Sequence, residues 1–311
     1  MTKVISVDNL IKKYGQSDTN AVDGISFDVD SGEFFALLGP NGAGKTTTIS
    51  ILTTTLVGTS GKVVVCGHDV ISNPSGVRSG SGIIFQNRSL DENLTAEENV
   101  RLHSILYGMY GFRLNFSSMP KDYKDRINKL ASILGIEGEM HKPIKGFSGG
   151  MKRKLEIVRG LIHEPDILFL DEPTTGLDPE SRRNLWDYLA EVQQSTDVTV
   201  FLTTHYLEEA EGADRVCIIN KGRIVAIGTP DQLKADMQMD YLVVDSDDRE
   251  GLVREIDARG IKYDIDEKIS VYVDREGVHK FLREISTEIT FVETRHGTLE
   301  DAYLKIVRGG V

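Results

Sequence analysis

The chain has little that would staple or anchor it. Its two cysteines, Cys66 and Cys217, stand far apart. They make neither a disulfide framework nor a metal-ligand spacing, and such scarcity fits a reducing compartment. No stretch approaches the ~18 consecutive apolar residues of a spanning helix. The opening Met1-Thr2-Lys3-Val4-Ile5-Ser6-Val7-Asp8 lacks the apolar core of a signal peptide. Any service to a membrane is therefore expected to come from outside it. Basic residues are in deficit, 36 Lys and Arg against 48 Asp and Glu, for a net charge of −12. That balance argues against nucleic-acid binding through a broad basic surface, although a local basic patch stays open. Internal repeats and low-complexity tracts are missing as well.

What is present suits a folded protein of two unequal parts. The 311 residues are 40% hydrophobic and 27% charged, enough for a sizeable core and about two domains at ~150 residues each. Up to residue 229, short apolar strands alternate with helical stretches, the α/β pattern. The strand candidates are Phe34–Leu38, Lys62–Val65, Gly82–Phe85, Ile167–Leu170, Thr199–Thr203 and Arg215–Asn220. Several are apolar on both faces, as in a parallel sheet covered by helices. Between Leu94 and Leu161 the pattern turns helical, with Ile127, Leu130, Ile133 and Leu134 on one face. Gly228-Thr229-Pro230 marks a break. Beyond it, residues 231–311 hold 19 acids and 12 bases, a net of −7, so the acidity concentrates in the tail. The tail reads as strand Tyr241–Asp245, helix Arg249–Arg259, strands Lys262–Ile265 and Ile269–Asp274, helix Gly277–Ile285, strand Thr290–Thr294 and helix Thr298–Val307. That order up to the last strand, β-α-β-β-α-β, is a split, ferredoxin-like unit.

The chemistry starts at Gly39-Pro40-Asn41-Gly42-Ala43-Gly44-Lys45-Thr46, a Gly-x4-Gly-Lys-Thr phosphate loop, or Walker A, between an apolar strand and a helix-compatible run, Thr47–Leu52. Glycines let backbone N–H groups wrap phosphate oxygens, and the helix N-terminus adds positive potential. Lys45 is expected on the β- and γ-phosphates and the Thr46 hydroxyl on Mg²⁺. The Thr47 hydroxyl or amide is expected on the α-phosphate. Ile167-Leu168-Phe169-Leu170-Asp171-Glu172-Pro173 is an apolar strand that ends in two acids. Ligands of open parallel sheets lie beyond the carboxyl ends of strands. Asp171 is thus placed toward Mg²⁺, through water, and Glu172 toward the γ-phosphate as general base for an attacking water. His205 ends another apolar strand at the same edge, within reach of the γ-phosphate. Gln86 ends a third and can join the Mg²⁺ coordination. The other six histidines share no ligand spacing.

With these parts goes Phe147-Ser148-Gly149-Gly150-Met151, which resembles the signature motif of ATP-binding cassette (ABC) ATPases. Tyr14 in Lys12-Lys13-Tyr14-Gly15 resembles the adenine-stacking loop, Gln86 the Q-loop, Gly176-Leu177-Asp178 the D-loop and His205 the switch histidine, all in family order over roughly residues 1–230. The finer resemblance is to the daunorubicin-resistance branch of ABC-2-type exporters. It rests on Met151-Lys152-Arg153-Lys154-Leu155, on Thr204-His205-Tyr206-Leu207-Glu208-Glu209-Ala210-Glu211 and on Gly297-Thr298-Leu299-Glu300-Asp301-Ala302-Tyr303. Phe147 stands where most signatures carry leucine, and Met151 where they carry glutamine.

The resemblance implies an α/β fold, a P-loop NTPase cassette over residues 1–229. Its central sheet would be mostly parallel with flanking helices, beside an N-terminal antiparallel β-subdomain and a helical signature subdomain at about 87–160. A small α+β domain follows over 230–311. It implies an ATPase using ATP and Mg²⁺, with catalytic Glu172, His205 and Gln86 and metal-binding Thr46, Gln86 and Asp171. Nucleotide contacts come from Tyr14, from Gly39 through Thr47 and, across a dimer, from Phe147, Ser148, Gly149, Gly150 and Asp178. The family geometry sets Ser148 too far from its own phosphate loop, so two cassettes pack head to tail, as a homodimer or a heterodimer. The segment from Gln86 to Thr95 is expected to form part of a groove gripping a separate transmembrane permease. The chain would be cytoplasmic, peripheral on the inner face of the cell membrane, with no nucleic acid as partner. A soluble ABC ATPase acting on ribosomes or DNA, or an importer ATPase with a regulatory tail, are the other readings. The tail either packs without a ligand or holds a regulatory small-molecule site.

Overall fold

The computed structural model describes residues 2–15, 17–86, 89–235, 241–265, 267–273 and 275–295, and Tyr303. The chain divides into two compact units, Met1–Val225 and Ala226–Val311. The first opens with β1 (Lys3–Lys12), β2 (Val22–Asp30), β3 (Phe34–Leu38), α1 (Lys45–Leu52), β4 (Ser60–Val65), β5 (His68–Asp69), α2 (Pro74–Ser79) and β6 (Ser81–Ile84). Three helices follow, α3 (Ala96–Leu106), α4 (Lys121–Ile133) and α5 (Gly149–Leu161). Then come β7 (Ile167–Asp171), α6 (Pro179–Thr196), β8 (Thr199–Thr204), α7 (Leu207–Ala210), β9 (Arg215–Asn220) and β10 (Arg223–Gly228), whose last three residues lie past the boundary of this unit.

Two sheets form from these strands. One has the order β10-β9-β3-β8-β7-β6 and runs parallel from β9 to β6. Its strands β7 and β8 are buried along their whole length, as both-face coverage by helices requires. The other has the order β2-β1-β4-β5 and is antiparallel. Lys62–Val65 therefore does not join the α/β sheet with the other strands read from the sequence. It pairs with β1, and its exposed Lys62 beside buried Val63 and Val65 shows the half-buried alternation of an antiparallel strand. Strands β1, β2, β5 and β10 were not read from periodicity. In β2 the signal is there, since Val22, Ile25, Phe27 and Val29 are buried between more exposed residues. One core serves both sheets, with the Phe27, Phe35 and Phe201 rings stacked at centroid spacings of 5.5 and 6.2 Å.

The helical insertion begins at a capping box. Thr95 accepts from the Glu98 N–H, and the Glu98 carboxylate accepts from the Thr95 N–H. On α4, Tyr123, Ile127 and Leu130 are buried at helical spacing.

In the second unit, Thr229 and Gln232 cap α8 (Pro230–Ala235) reciprocally. The break at Gly228-Thr229-Pro230 is thus also a helix start, with proline at the first helical position. Then follow β11 (Tyr241–Asp245), α9 (Arg249–Ala258), β12 (Tyr263–Ile265), β13 (Ile269–Tyr272), α10 (Arg275–Glu284) and β14 (Phe291–Arg295). The strand order is β12-β13-β11-β14, with every neighbour antiparallel. Each βαβ half is split by a strand of the other. Leu242, Val244, Leu252, Ile256, Ile269, Val271 and Phe281 form this unit's own core. The helix expected over Thr298–Val307, and the segment Gly297–Tyr303, lie outside the described residues except for Tyr303.

Separate cores make an independent cassette the expected outcome of truncation. Removing residues 231–311, which leaves β10 whole, should yield a monodisperse protein that unfolds cooperatively and binds ATP. Circular dichroism of a molten chain would refute that boundary.

Candidate functional site

Strand register gathers the candidate residues. Leu38 of β3 pairs with Thr204 of β8, Thr203 pairs with Asp171 of β7, and Leu170 pairs with Ile84 of β6. The four loops that leave this edge carry the phosphate loop, His205, Glu172 and Gln86. The Gly39 N–H donates to Thr204 O (3.2 Å), which ties the phosphate loop to the strand end beside His205.

The loop needs its glycines where the backbone is crowded. Gly44 has φ of 107°, and a Cβ there would lie 2.5 Å from the Ala21 carbonyl oxygen. At Gly39 a Cβ would lie 2.3 Å from the Ile219 carbonyl oxygen. Helix α1 starts at once after Gly44, with no side-chain cap and no acid in its first turn. Its first N–H groups are left for an anion. A cavity of about 490 Å³ opens there, lined by Asn41, Gly42, Gly44, Lys45, Thr46 and Thr47 with Ala21, Gln86 and Glu172.

Lys45 is only 4% exposed. Its ammonium donates to Gly39 O (2.8 Å) and Pro40 O (3.1 Å) and lies 3.3 Å from Glu172 Oε1. Burial pulls the ammonium below its usual range, and the Glu172 carboxylate opposes that pull. Glu172 is the meeting point of the site. Its other oxygen, Oε2, accepts from Gln86 Nε2 (3.4 Å) and Thr175 Oγ1 (3.4 Å) and lies 3.3 Å from His205 Nδ1, in close contact but not aligned for a hydrogen bond. The Glu172 backbone has φ of 45°. Its N–H is shared between Thr203 O (3.0 Å) and Thr203 Oγ1 (3.2 Å), which holds this strained turn in place. Asp171 accepts from the Thr203 hydroxyl at 2.6 Å. Burial pushes its carboxyl above the usual range, and the Thr203 hydrogen bond works against that.

Tyr14 is half exposed, with its hydroxyl 3.4 Å from Thr47 Oγ1 and Lys12 Nζ 5.1 Å from the ring centroid. It borders the first turn of α1, where an aromatic face can stack on a base. The signature residues lie apart from this cavity. Ser148 caps α5, accepting from the Met151 N–H at 3.2 Å, and Phe147 is buried. Ser148 and Gly150 line a different cavity of about 130 Å³ with Leu177 and Ser181. Asp178 caps α6 through the Ser181 N–H (2.9 Å) and hydroxyl (2.6 Å), bonds that hold its carboxyl below the usual range.

Some supporting residues were not picked out from the sequence. Glu209 is buried and accepts from the Thr174 and Thr204 hydroxyls, joining the loop after Glu172 to the strand end before His205. Burial raises its carboxyl, and both hydroxyls oppose the rise. Thr203 likewise serves Asp171 and Glu172 together.

Residues 22–175 match the ABC transporter family. The chain is 35% identical over 312 residues to the daunorubicin resistance ATP-binding protein DrrA3 of Streptomyces coeruleorubidus, covering 97% of this chain and 95% of that one. The chain belongs to the ABC transporter family. It is 39% identical over 233 residues to the Nod factor export ATP-binding protein I of Ralstonia nicotianae, covering 75% of this chain and 69% of that protein. A solved ATP-binding subunit of an ABC transporter superimposes with a TM-score of 0.64 at 31% identity, over 75% of this chain and 93% of that one. This ABC cassette is an ATPase of the drug-resistance branch, and ATP is the ligand of its family. No helix among the described residues is long and apolar enough to cross a membrane.

Replacing Lys45 by alanine removes the buried cation of the cavity. ATP affinity of the Lys45→Ala cassette, read by calorimetry, should fall about ten- to a hundredfold, the worth of a charge-assisted bond. An unchanged dissociation constant would count against the lysine's role.

Proposed function

We propose that the cassette powers an exporter whose permease is a separate chain, and that two cassettes close head to tail on ATP. One observation carries the dimer. The cavity that holds Lys45, Gln86 and Glu172 is lined by no residue of Phe147–Gly150, while Ser148 and Gly150 line another cavity. A second cassette, identical or homologous, supplies a signature helix N-terminus to each phosphate site, with Asp178 alongside. The names of the relatives, one for drug resistance and one for export, support outward transport. The cassette then sits on the cytoplasmic face of the membrane, held by the permease through the groove that includes Gln86 and Ser89 to Thr95. Asn87 and Arg88, within that groove, lie outside the described residues.

In this reading the phosphate loop amides and Lys45 hold the triphosphate, and Tyr14 stacks on the adenine. Glu172 orients the attacking water and takes its proton. His205, 3.3 Å from the same carboxylate oxygen, steadies the γ-phosphate. Phosphoryl transfer needs chiefly positioning and charge stabilisation, which this constellation provides.

The donor set fits Mg²⁺. Thr46 and Gln86 line the cavity and Asp171 ends the adjacent strand, offering oxygens of the kind a hard cation takes. Among the described residues no cluster of three His, Cys, Asp or Glu could hold a metal by itself. Phosphate and water oxygens would complete the shell, as is usual for this ion. When bound, the cation would neutralise charge on the phosphates.

Glu172→Gln keeps the size of the side chain and removes the base. The variant should bind ATP, accumulate as an ATP-bound dimer on gel filtration, and turn over about a hundredfold more slowly or worse. ATPase activity near wild type would sink the general-base assignment.

A further inference from the structure

Helix α5 carries three charged residues at i, i+3 and i+6 that the site as described does not use: Arg153, Glu156 and Arg159. Arg153 is 4% and Glu156 1% exposed. Paired charges at that depth are costly to bury and need specific partners. Arg153 Nε donates to Pro173 O (2.7 Å). One of its terminal nitrogens donates to Phe85 O (2.9 Å) and to Glu156 Oε2 (2.8 Å). Glu156 Oε1 accepts from the Ser89 N–H (3.2 Å), and Arg159 donates to Ser89 O (2.6 Å) and Ser89 Oγ (2.5 Å).

The positions of those acceptors matter. Pro173 directly follows Glu172, and Phe85 directly precedes Gln86. One guanidinium therefore grips the backbone beside both residues whose side chains meet at 3.4 Å. The same helix holds the far side of the Gln86 loop at Ser89, and its N-terminal cap is Ser148 of the signature. A planar guanidinium holds its donors in fixed, spread directions toward acceptors on separate loops, whereas a lysine ammonium offers three rotatable donors from a single point and would hold the same acceptors less firmly.

We propose that Arg153, charge-paired with Glu156, is a positioning residue for hydrolysis that ties the Gln86 and Glu172 loops to the signature helix. Displacement of α5 then changes the spacing of Gln86 and Glu172, so the state of the signature is felt at the hydrolytic carboxylate. The proposal rests on the reading of Gln86 and Glu172 given above.

The test is Arg153→Lys in the full chain, with ATP affinity, steady-state kinetics and hydrogen exchange measured together. The ATP dissociation constant should stay within about twofold, because Arg153 does not line the nucleotide cavity, while kcat falls about ten- to a hundredfold, the scale of a misplaced catalytic group. Exchange in peptides spanning residues 83–92 and 171–178 should rise together, with α1 and β3 still protected. In a Gln86→Ala background the same substitution should cost less than about threefold, because coupled residues are not additive. Should Arg153→Lys fail to fold, Glu156→Gln should give the same pattern at smaller size. An unchanged kcat, loosening of only one of the two segments, or affinity and kcat falling together with general loss of protection would overturn the proposal. Exchange separates this from the general-base reading. If Glu172→Gln kept its turnover while Arg153→Lys loosened both loops, only the base assignment would fall. If Glu172→Gln were dead and the loops stayed protected, only the clamp would.

Discussion

The site depends on a lysine ammonium held out of water at the carboxyl edge of a parallel sheet. Lys45 has two carbonyl oxygens and one carboxylate oxygen around it, and burial weakens its hold on the proton. A cation so placed favours any ligand that brings negative charge to the first turn of α1, where unpaired N–H groups add to the same field. The arrangement survives only if β3, β8 and β7 keep their register. A slip of one residue would turn Lys45, Glu172 and His205 away from one another and carry Phe35, Phe169 or Phe201, which are fully buried, to the opposite face of the sheet, out of their row. The packing of these rings, whose centroids lie 5.5 Å apart along the row, is therefore also what aligns the chemistry.

Around the lysine, polar groups are buried only where each has a partner. Thr203 joins Asp171 to the Glu172 N–H, and Glu209 joins Thr174 to Thr204. Such networks rigidify when satisfied and are costly when broken. They explain how Glu172 can sit at a positive φ that a non-glycine residue adopts only under constraint. The strain aims its carboxylate back over the sheet edge at Lys45, Gln86 and His205, rather than outward along the strand direction.

How much of this was legible in the sequence follows from how local each signal is. The phosphate loop, the acid pair after Ile167–Leu170 and the histidine after Thr203 are short motifs with their strands attached, and they could be read directly. So could the alternating tail from Tyr241 to Arg295, whose described strands and helices lie within a residue or two of their expected ends. Strand β1 was less legible because its ladder with β2 shifts register after Lys3, after Val7 and after Leu10, which blurs its period-two pattern. Arg153, Glu156 and Glu209 were invisible for another reason. Their partners Phe85, Ser89, Pro173 and Thr174 lie 20 to 68 positions away, so only the fold brings them together. Asp178 shows the opposite limit, a motif residue whose visible bonds are those of a helix cap, whatever it meets across a dimer.

Ser148, Gly149 and Gly150, the residues that resemble the signature, lie at the start of the helix that reaches back to the proposed hydrolytic site. Ser148 caps α5, and one turn later Arg153 holds Pro173 and Phe85. A rigid helix transmits a displacement of its first turn to its next with little loss, because its backbone bonds are satisfied internally. A contact made at Ser148 by a second cassette therefore has a short mechanical path to Glu172 in the chain that makes the contact. In a head-to-tail pair, each cassette would thus both complete its partner's nucleotide site and register, through Arg153, that it has done so. That reciprocity is a reason for the buried charge pair to lie on α5 rather than on a helix remote from the signature.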